Sequence, residues 1–238
     1  MEAPKYKRVL LKLSGEALAG DMRRGMDFNV VKSVAAAIKE CTELGVQVGI
    51  VVGGGNYWRG VKDGGGKMER TRADQMGMLA TTINALGILE ALEQEGMKAA
   101  VMTGVEMPRI AELFTRAGAV RRLENGEVVI FAGGTGSPFF TTDTTAALRA
   151  LETQCDAVLK ATKVDGIYTA DPFKDPNAVR YKVLSYEEAL SKQLKVMDAA
   201  AFSLCREHDL PIVVFNFFES GSLERVLMGD TAAGTVVK

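Results

Sequence analysis

The chain has a single histidine, His208, and only three cysteines, Cys41, Cys155 and Cys205, far apart and odd in number. One histidine leaves no material for a His-rich metal site or a Ser-His-Asp triad. His208, within "CREHDLP", reads as a residue at a helix C-terminus. The scattered thiols speak against a disulfide framework or a zinc site and for a reducing, cytoplasmic compartment. No apolar run approaches the roughly 18 residues of a membrane helix. The opening "MEAPKYKRVLLKLSGEA" has an apolar run too short for a signal peptide, and a lysine interrupts it. Neither sign of charge is in excess: 29 Lys and Arg stand against 30 Asp and Glu. With no global field to recruit nucleic acid or a membrane, any anion site must be local. Internal repeats, low-complexity tracts and strong linkers are lacking too.

What is present is 238 residues, 47% of them apolar, enough for a sizeable core. Short β-branched runs alternate with longer helical patterns. "YKRVLLKL" predicts a first strand. Asp27 and Gly45 are the N-cap and C′ residue of the helix that follows. "VQVGIVV" predicts a strand buried on both faces. A long helix covers about Arg70 to Glu95 and ends at Gly96, and "KAAVMT" is a third strand. Pro108 suits the first turn of a next helix, and "RRLENGEVVIFAG" reads as a hairpin turning at Asn125-Gly126. "TTDTTAALRALE" is helical, "DAVLKAT" a strand, "SYEE" a capping box at Ser185, "DAAAFSLCREH" a helix, and "PIVVFN" and "AGTVV" strands. Strands alternating with helices give βαβ units around a mostly parallel sheet covered on both faces. The loop at 162–178, "TKVDGIYTADPFKDPNA", is long enough in a compact domain to read as functional. One continuous α/β domain over 1–238 is expected.

In open α/β sheets ligands collect at the carboxyl ends of strands. Four segments lie there: "LKLSGEA", "GGGNYWR", "AGGTGSPFFTTDTTA" and "KATKVDGIYTADP". Their glycines let backbone N–H groups face an anion without a Cβ in the way, and following helices add N-terminal positive charge. Arg59 can fork onto a phosphate, Lys12 can sit as a point charge between phosphates, and Asp143 can meet a metal or orient an acceptor oxygen. "GGGNYWR" is neither the GxxxxGK[ST] of P-loop enzymes nor the GxGxxG of dinucleotide binders. Each feature has a plainer reading. "GGG" is also a flexible turn, Lys12 an ordinary lysine and Asp143 a helix cap. Asp171 and Asp175, both before prolines, are turn residues, and Met76 and Met78 are core. Together, four loops of phosphate-binding composition predict phosphoryl transfer or nucleotide binding, with the acceptor open.

The motifs "YKRVLLKLSGEAL", "GGGNYWRG", "ADQMGMLAT", "GTGSPFFTTDTTAALRA", "DAVLKATKVDGIYTADPFKDP" and "LKVMDAAAF" resemble the amino acid kinase superfamily, and within it the bacterial UMP kinases, almost end to end. The resemblance implies a three-layer αβα fold with an N-terminal acceptor-binding lobe (about 1–150) and a C-terminal ATP-binding lobe (about 151–238). It implies transfer of the ATP γ-phosphoryl to UMP with Mg²⁺ carried mainly by substrate phosphates, and a homohexamer. It places Lys12, Leu13, Ser14 and Gly15 against the ATP phosphates, Gly55 and Arg59 near the transferred group, and Thr162, Tyr168 and Asp171 at the ATP base and ribose. Gly54 falls at the UMP phosphate and Asp74 at the ribose hydroxyls. Thr135, Gly136, Ser137, Pro138, Phe139, Phe140, Thr141 and Thr142 wrap the nucleotide, and Asp143 and Asp198 lie near the reaction centre. Ser137 stands where the family pattern has asparagine, and nothing carries over for 105–127. Family members are commonly activated by GTP and inhibited by UTP, with "GDMRRG" (Gly20 to Gly25) at the position of an effector loop. Two other readings stay open: a carboxylate- or carbamate-accepting kinase of the same superfamily, and a non-catalytic nucleotide-binding or oxyanion-storage protein.

Overall fold

A computed structural model describes residues 3–64 and 66–238. The chain runs β1 (Arg8–Leu13), α1 (Gly15–Leu18), α2 (Phe28–Glu43), β2 (Gln47–Val52), α3 (Gly60–Gly64), α4 (Arg70–Gln94), β3 (Ala99–Thr103), β4 (Glu112–Leu113) and α5 (Arg116–Glu124). It continues with β5 (Val128–Ala132), α6 (Thr142–Glu152), β6 (Ala157–Thr162), β7 (Val183–Leu184), α7 (Tyr186–Ser191), α8 (Ala199–Glu207), β8 (Ile212–Asn216), α9 (Ser222–Leu227) and β9 (Gly234–Val237). The strands form one sheet in the order β4-β3-β5-β2-β1-β6-β8-β9-β7. Every strand pair is parallel except β8 with β9.

Strand pleating sorts the core into two layers. Val9, Leu11 and Leu13 of β1 pack with α2, α4 and α9, including Ile38, Ile88 and Leu227. Leu10 points the other way, with Val158 of β6, into a layer built on α5, α6, α7 and α8. The sheet is thus covered on both faces, as the uninterrupted apolar strands require.

Local signals explain most boundaries. The Asp27 carboxylate caps α2 by accepting from Asn29 N at 3.0 Å, and Ser185 Oγ caps α7 by accepting from Glu188 N at 3.0 Å. Gly45 and Gly96 follow α2 and α4 with φ of 82° and 79°. His208 is the C-cap residue of α8.

Two expectations are corrected. Asn125-Gly126 turns no hairpin: it ends α5. Gly126 (φ 76°) donates to Leu123 O at 3.0 Å, and Glu127 N donates to Arg122 O at 3.0 Å, a Schellman closure. The left-handed residue that suits a hairpin suits a helix C-terminus equally well, and Thr115, which caps α5 through Gly118 N at 3.2 Å, decides for the helix. Pro108 starts no helix either. It lies in a turn closed by a Met107–Ala111 bridge, which leads to the two-residue β4.

Candidate active site at the junction of two glycine loops

Lys12 on β1 and Lys160 on β6 are register partners on adjacent parallel strands. Both fall on the pleat that faces α6. Two ammonium groups side by side repel, and Asp143 lies between them in the first turn of α6. Its Oδ1 is 2.8 Å from Lys12 Nζ and its Oδ2 accepts from Lys160 Nζ at 3.0 Å. Lys160 also donates to Val196 O at 2.5 Å. All three side chains are largely buried. Burial pushes the Asp143 carboxyl up, but the two lysines override it and hold it below its ordinary value. Burial lowers Lys160 from the ordinary lysine value, against the opposing pull of Asp143. The trio is therefore a cationic centre with a locked carboxylate, suited to neutralising anionic oxygens rather than to moving protons.

Asp198 is joined to this centre through α6. It caps α8 by accepting from Ala201 N at 2.9 Å, takes the Thr144 hydroxyl at 3.1 Å, and accepts from Thr141 Oγ. Thr141 itself caps α6 by accepting from Asp143 N at 3.0 Å. Lys160 is absent from the sequence-derived candidates. Its signal was a lysine inside the apolar run "DAVLKAT", the same pattern that singles out Lys12 in "RVLLKLSG".

The loops after β1 and β2 touch. A Cβ on Gly15 would lie 2.4 Å from Gly53 O and 2.5 Å from Asn56 Oδ1. A Cβ on Gly54 would lie 2.8 Å from Ala80 Cβ and 2.9 Å from Gly77 O, so this loop rests directly on α4. These glycines are demanded by close approach, with no positive φ at 15, 53, 54 or 55. Ser14 caps the short α1 by accepting from Ala17 N at 3.3 Å, while the Leu13 side chain is in the core and its carbonyl accepts from Gly53 N at 2.9 Å. Arg59 pairs with Glu16 at 2.6 Å across the two loops and donates to Gly55 O at 3.3 Å.

Beside the glycine loop a cavity of about 280 Å³ opens between α4 and the 134–142 segment. Gly54, Asp74, Thr135, Ser137, Phe140, Thr141 and Thr142 line it, joined by Trp58, Gly60, Arg70, Ala73, Gly77, Met78, Thr81 and Gly134, which sequence reasoning had not selected. Asp74 accepts from Arg70 Nε at 2.7 Å and from Phe139 N at 2.8 Å. Phe139 holds φ at 72°, an outlier for an aromatic residue, with its ring exposed and Arg70 5.3 Å from the ring centre. Gly136 and Pro138 do not line this cavity. They border a neighbouring one with Val105, Met107 and Leu79.

Tyr168 and Asp171 make local bonds, and Thr162 makes a local one and one to Phe215 O of β8 at 3.2 Å. Thr162 Oγ1 donates to Val164 O at 2.5 Å, the Tyr168 hydroxyl donates to Asp165 Oδ1 at 2.6 Å, and Asp171 Oδ1 accepts from Phe173 N at 3.0 Å in a turn. None of these bonds reaches the Lys12–Asp143 centre. The three cysteines are buried, and burial pushes each thiol up to about 12, toward the protonated form. Among the described residues no group of three or more His, Cys, Asp or Glu converges as a metal cage.

Residues 7–216 match the model of the amino acid kinase family. The chain is 40% identical to a UMP kinase from Bacillus anthracis, with 98% of this chain and 96% of that one covered and a TM-score of 0.94. It is 35% identical to a UMP kinase from Ureaplasma parvum over the whole of both chains, with a TM-score of 0.92. A uridylate kinase from Archaeoglobus fulgidus is 28% identical, with 97% and 99% covered and a TM-score of 0.71. The match spans both halves of the sheet and every loop of the site just described: the chain belongs to the amino acid kinase family.

Proposed function

We propose that the protein is a UMP kinase, transferring the ATP γ-phosphoryl group to UMP to give UDP and ADP in pyrimidine nucleotide biosynthesis in the cytoplasm. The observation that carries this reading is the Lys12–Asp143–Lys160 centre together with a cavity lined by Gly54 of the glycine loop, the carboxylate of Asp74 and Thr142, the residue before Asp143. The reading is supported by full-length similarity to UMP kinases.

The chemistry asks little of the protein beyond placement and charge. A phosphate monoester has a second pKa near 6, so at neutral pH the acceptor oxygen is already anionic and no general base is required. What must be overcome is repulsion between two anionic substrates and misalignment of the transferred group. Gly54 holds the UMP phosphate, and Asp74 takes the ribose hydroxyls. Thr135 through Thr142 wrap the base, with Gly136 and Pro138 acting through the backbone of that turn. Lys12, Ser14, Gly15, Gly55 and Arg59 surround the donor phosphates. Lys160 joins Lys12 in stabilising the charge that spreads over the transferred group, and Asp143 and Asp198 keep those cations and α6 in place. Thr162, Tyr168 and Asp171 border the adenosine. This division puts acceptor binding and the donor-phosphate contacts in the lobe at about 1–150 and the adenosine of ATP in the lobe at about 151–238. Mg²⁺ fits as an ion held by donor phosphate oxygens and water, since Asp143 is already neutralised by lysines. When bound, it adds further charge neutralisation to the phosphates.

An acceptor panel tests the assignment: MgATP with UMP, CMP, acetylglutamate, aspartate or carbamate, read by product identity. UDP and ADP from UMP, with CMP much poorer, are expected, because the cytosine edge leaves hydrogen-bonding groups of the 135–142 turn unpaired. Turnover of a carboxylate or carbamate, or ADP release that ignores every acceptor, overturns it.

Asp74 separates the ribose reading from a helix-dipole one. Its carboxylate has acceptor capacity beyond Arg70 and Phe139 N. An acceptor left unpaired costs roughly 1–3 kcal/mol, so UMP is expected to be preferred to dUMP by about tenfold. Asp74→Asn is expected to raise the UMP KM and shrink that preference while sparing the ATP KM. An unchanged UMP/dUMP ratio in kcat/KM removes Asp74 from the site.

We further propose a homohexamer with GTP activation and UTP inhibition through the Gly20–Gly25 loop. On α4, Leu79, Ile83 and Leu86 are each more than a third exposed and lie on one stripe, which supports burial against another copy. Light scattering at micromolar concentration is expected to give six chains, and a monomer rejects the assembly.

A further inference from the structure

Two asparagines are sealed beneath the glycine loop. Asn84, in the middle of α4, has no exposed surface, and Asn56 is 2% exposed. Their amides bond reciprocally: Asn56 Nδ2 donates to Asn84 Oδ1 at 2.9 Å and Asn84 Nδ2 to Asn56 Oδ1 at 2.7 Å. The second N–H of each goes to a backbone carbonyl. Asn84 donates to Gly53 O at 2.7 Å, and Asn56 donates to Gly25 O at 2.7 Å. All four amide hydrogens are placed, so neither side chain can turn without leaving a buried polar group unpaired. Asparagine is a poor helix former and two buried amides are a costly way to fill space. Packing alone does not account for the pair.

Its effect falls on one peptide plane. The Gly53–Gly54 peptide is trans, so its carbonyl and N–H point to opposite sides of a rigid unit. With Gly53 O drawn toward Asn84, the Gly54 N–H is turned away from that amide. Among the described residues, neither the Gly54 nor the Gly55 N–H finds a protein acceptor, and Gly54 lines the cavity. A free backbone donor held at a fixed angle is what an anion site needs.

We infer that Asn84, acting with Asn56, is a positioning residue of the transfer reaction: it sets the Gly53–Gly54 peptide so that the Gly54 N–H meets the phosphate of the acceptor nucleotide. The inference rests on the cavity being the UMP site. Through Gly25 O, and through Gly25 N donating to Asn56 O at 3.0 Å, the same pair ties the 20–25 loop to the glycine loop.

The test compares Asn84→Ala, the single variants Asn56→Leu and Asn84→Leu, the double variant Asn56→Leu/Asn84→Leu and the wild type, measuring Kd for UMP and for uridine by calorimetry or competition, together with Tm. Asn84→Ala is expected to raise the UMP Kd about tenfold or more and leave the uridine Kd unchanged, because uridine has no phosphate. In the double variant no side-chain amide is left unpaired, although Gly53 O and Gly25 O lose their donors, so Tm is expected to recover relative to either single Leu variant. Its UMP Kd stays raised, because Gly53 O is still unheld. Recovery of UMP affinity along with Tm, or an equal loss for uridine, reduces the pair to packing and overturns the inference. If Asn84→Ala does not fold, the double variant decides alone by its ratio of UMP to uridine affinity. Failure of the wild type to turn over UMP is a different result, which refutes the UMP assignment itself.

Discussion

Lys12→Ala is expected to lower kcat by about 10²–10³-fold, the usual effect of removing one preorganised donor from a developing anion, with little change in the UMP KM. The fold should tolerate it, since Lys160 remains to neutralise Asp143 at 3.0 Å. Asp143→Asn is expected to be as damaging by a different route, leaving two ammonium groups on neighbouring strands with no anion between them. Lys160 is already below its ordinary value through burial, and Asp143 is the strongest influence raising it. Removing the carboxylate therefore lowers Lys160 further, and its charge is lost at a lower pH. The basic limb of the kcat–pH profile should move toward neutrality in Asp143→Asn relative to wild type. A Lys12→Ala enzyme with unchanged kcat sinks the cationic-centre assignment, and near-normal activity with an unmoved basic limb returns Asp143 to the role of a first-turn helix residue.

Gly15→Ala is expected to be almost as costly with no change of charge. The new methyl would lie 2.4 Å from Gly53 O and 2.9 Å from Gly53 C, against backbone that has no rotamer to escape into. The loops after β1 and β2 must separate. A misplacement of about 1 Å costs on the order of 10²-fold in rate, and overpacking of this kind costs about 1–3 kcal/mol, or roughly 2–12 °C in Tm for a chain of this size. Assay of kcat/KM beside a thermal melt checks both. Wild-type kcat/KM in Gly15→Ala would show that the two loops work without touching.

Much of this was readable from residues. The parallel sheet followed from apolar strands alternating with capped helices, and Lys12 stood out because an ammonium group inside a strand buried on both faces has no solvent to reach. What could not be read was the register that puts Lys160 beside it, because pairing between β1 and β6 depends on the packing of the whole sheet. The same holds for Asn84: within "MGMLATTINALGILEALE" it is one polar residue among apolar ones, and only the fold shows that its partner is Asn56. Asn125-Gly126 misled because its left-handed glycine serves a hairpin and a helix end alike. Pro108 misled because proline fits a first helical turn and an ordinary turn equally well. The two-residue strands β4 and β7 are too short to carry an alternation.

The strand order also governs when the reaction centre comes into being. β1 is made early and β6 late; Arg8 N donates to Asp156 across 148 residues of chain. Until the segment Ala157–Thr162 has been synthesised, one edge of β1 is an apolar strand with no neighbour, and Lys12 lacks Lys160 beside it. Such distant parallel pairing is slow to form and leaves partly folded chains prone to associate through open edges. A nascent chain of this protein is therefore catalytically silent until its C-terminal half arrives, and the centre sits at the seam between the early and the late strands of the sheet.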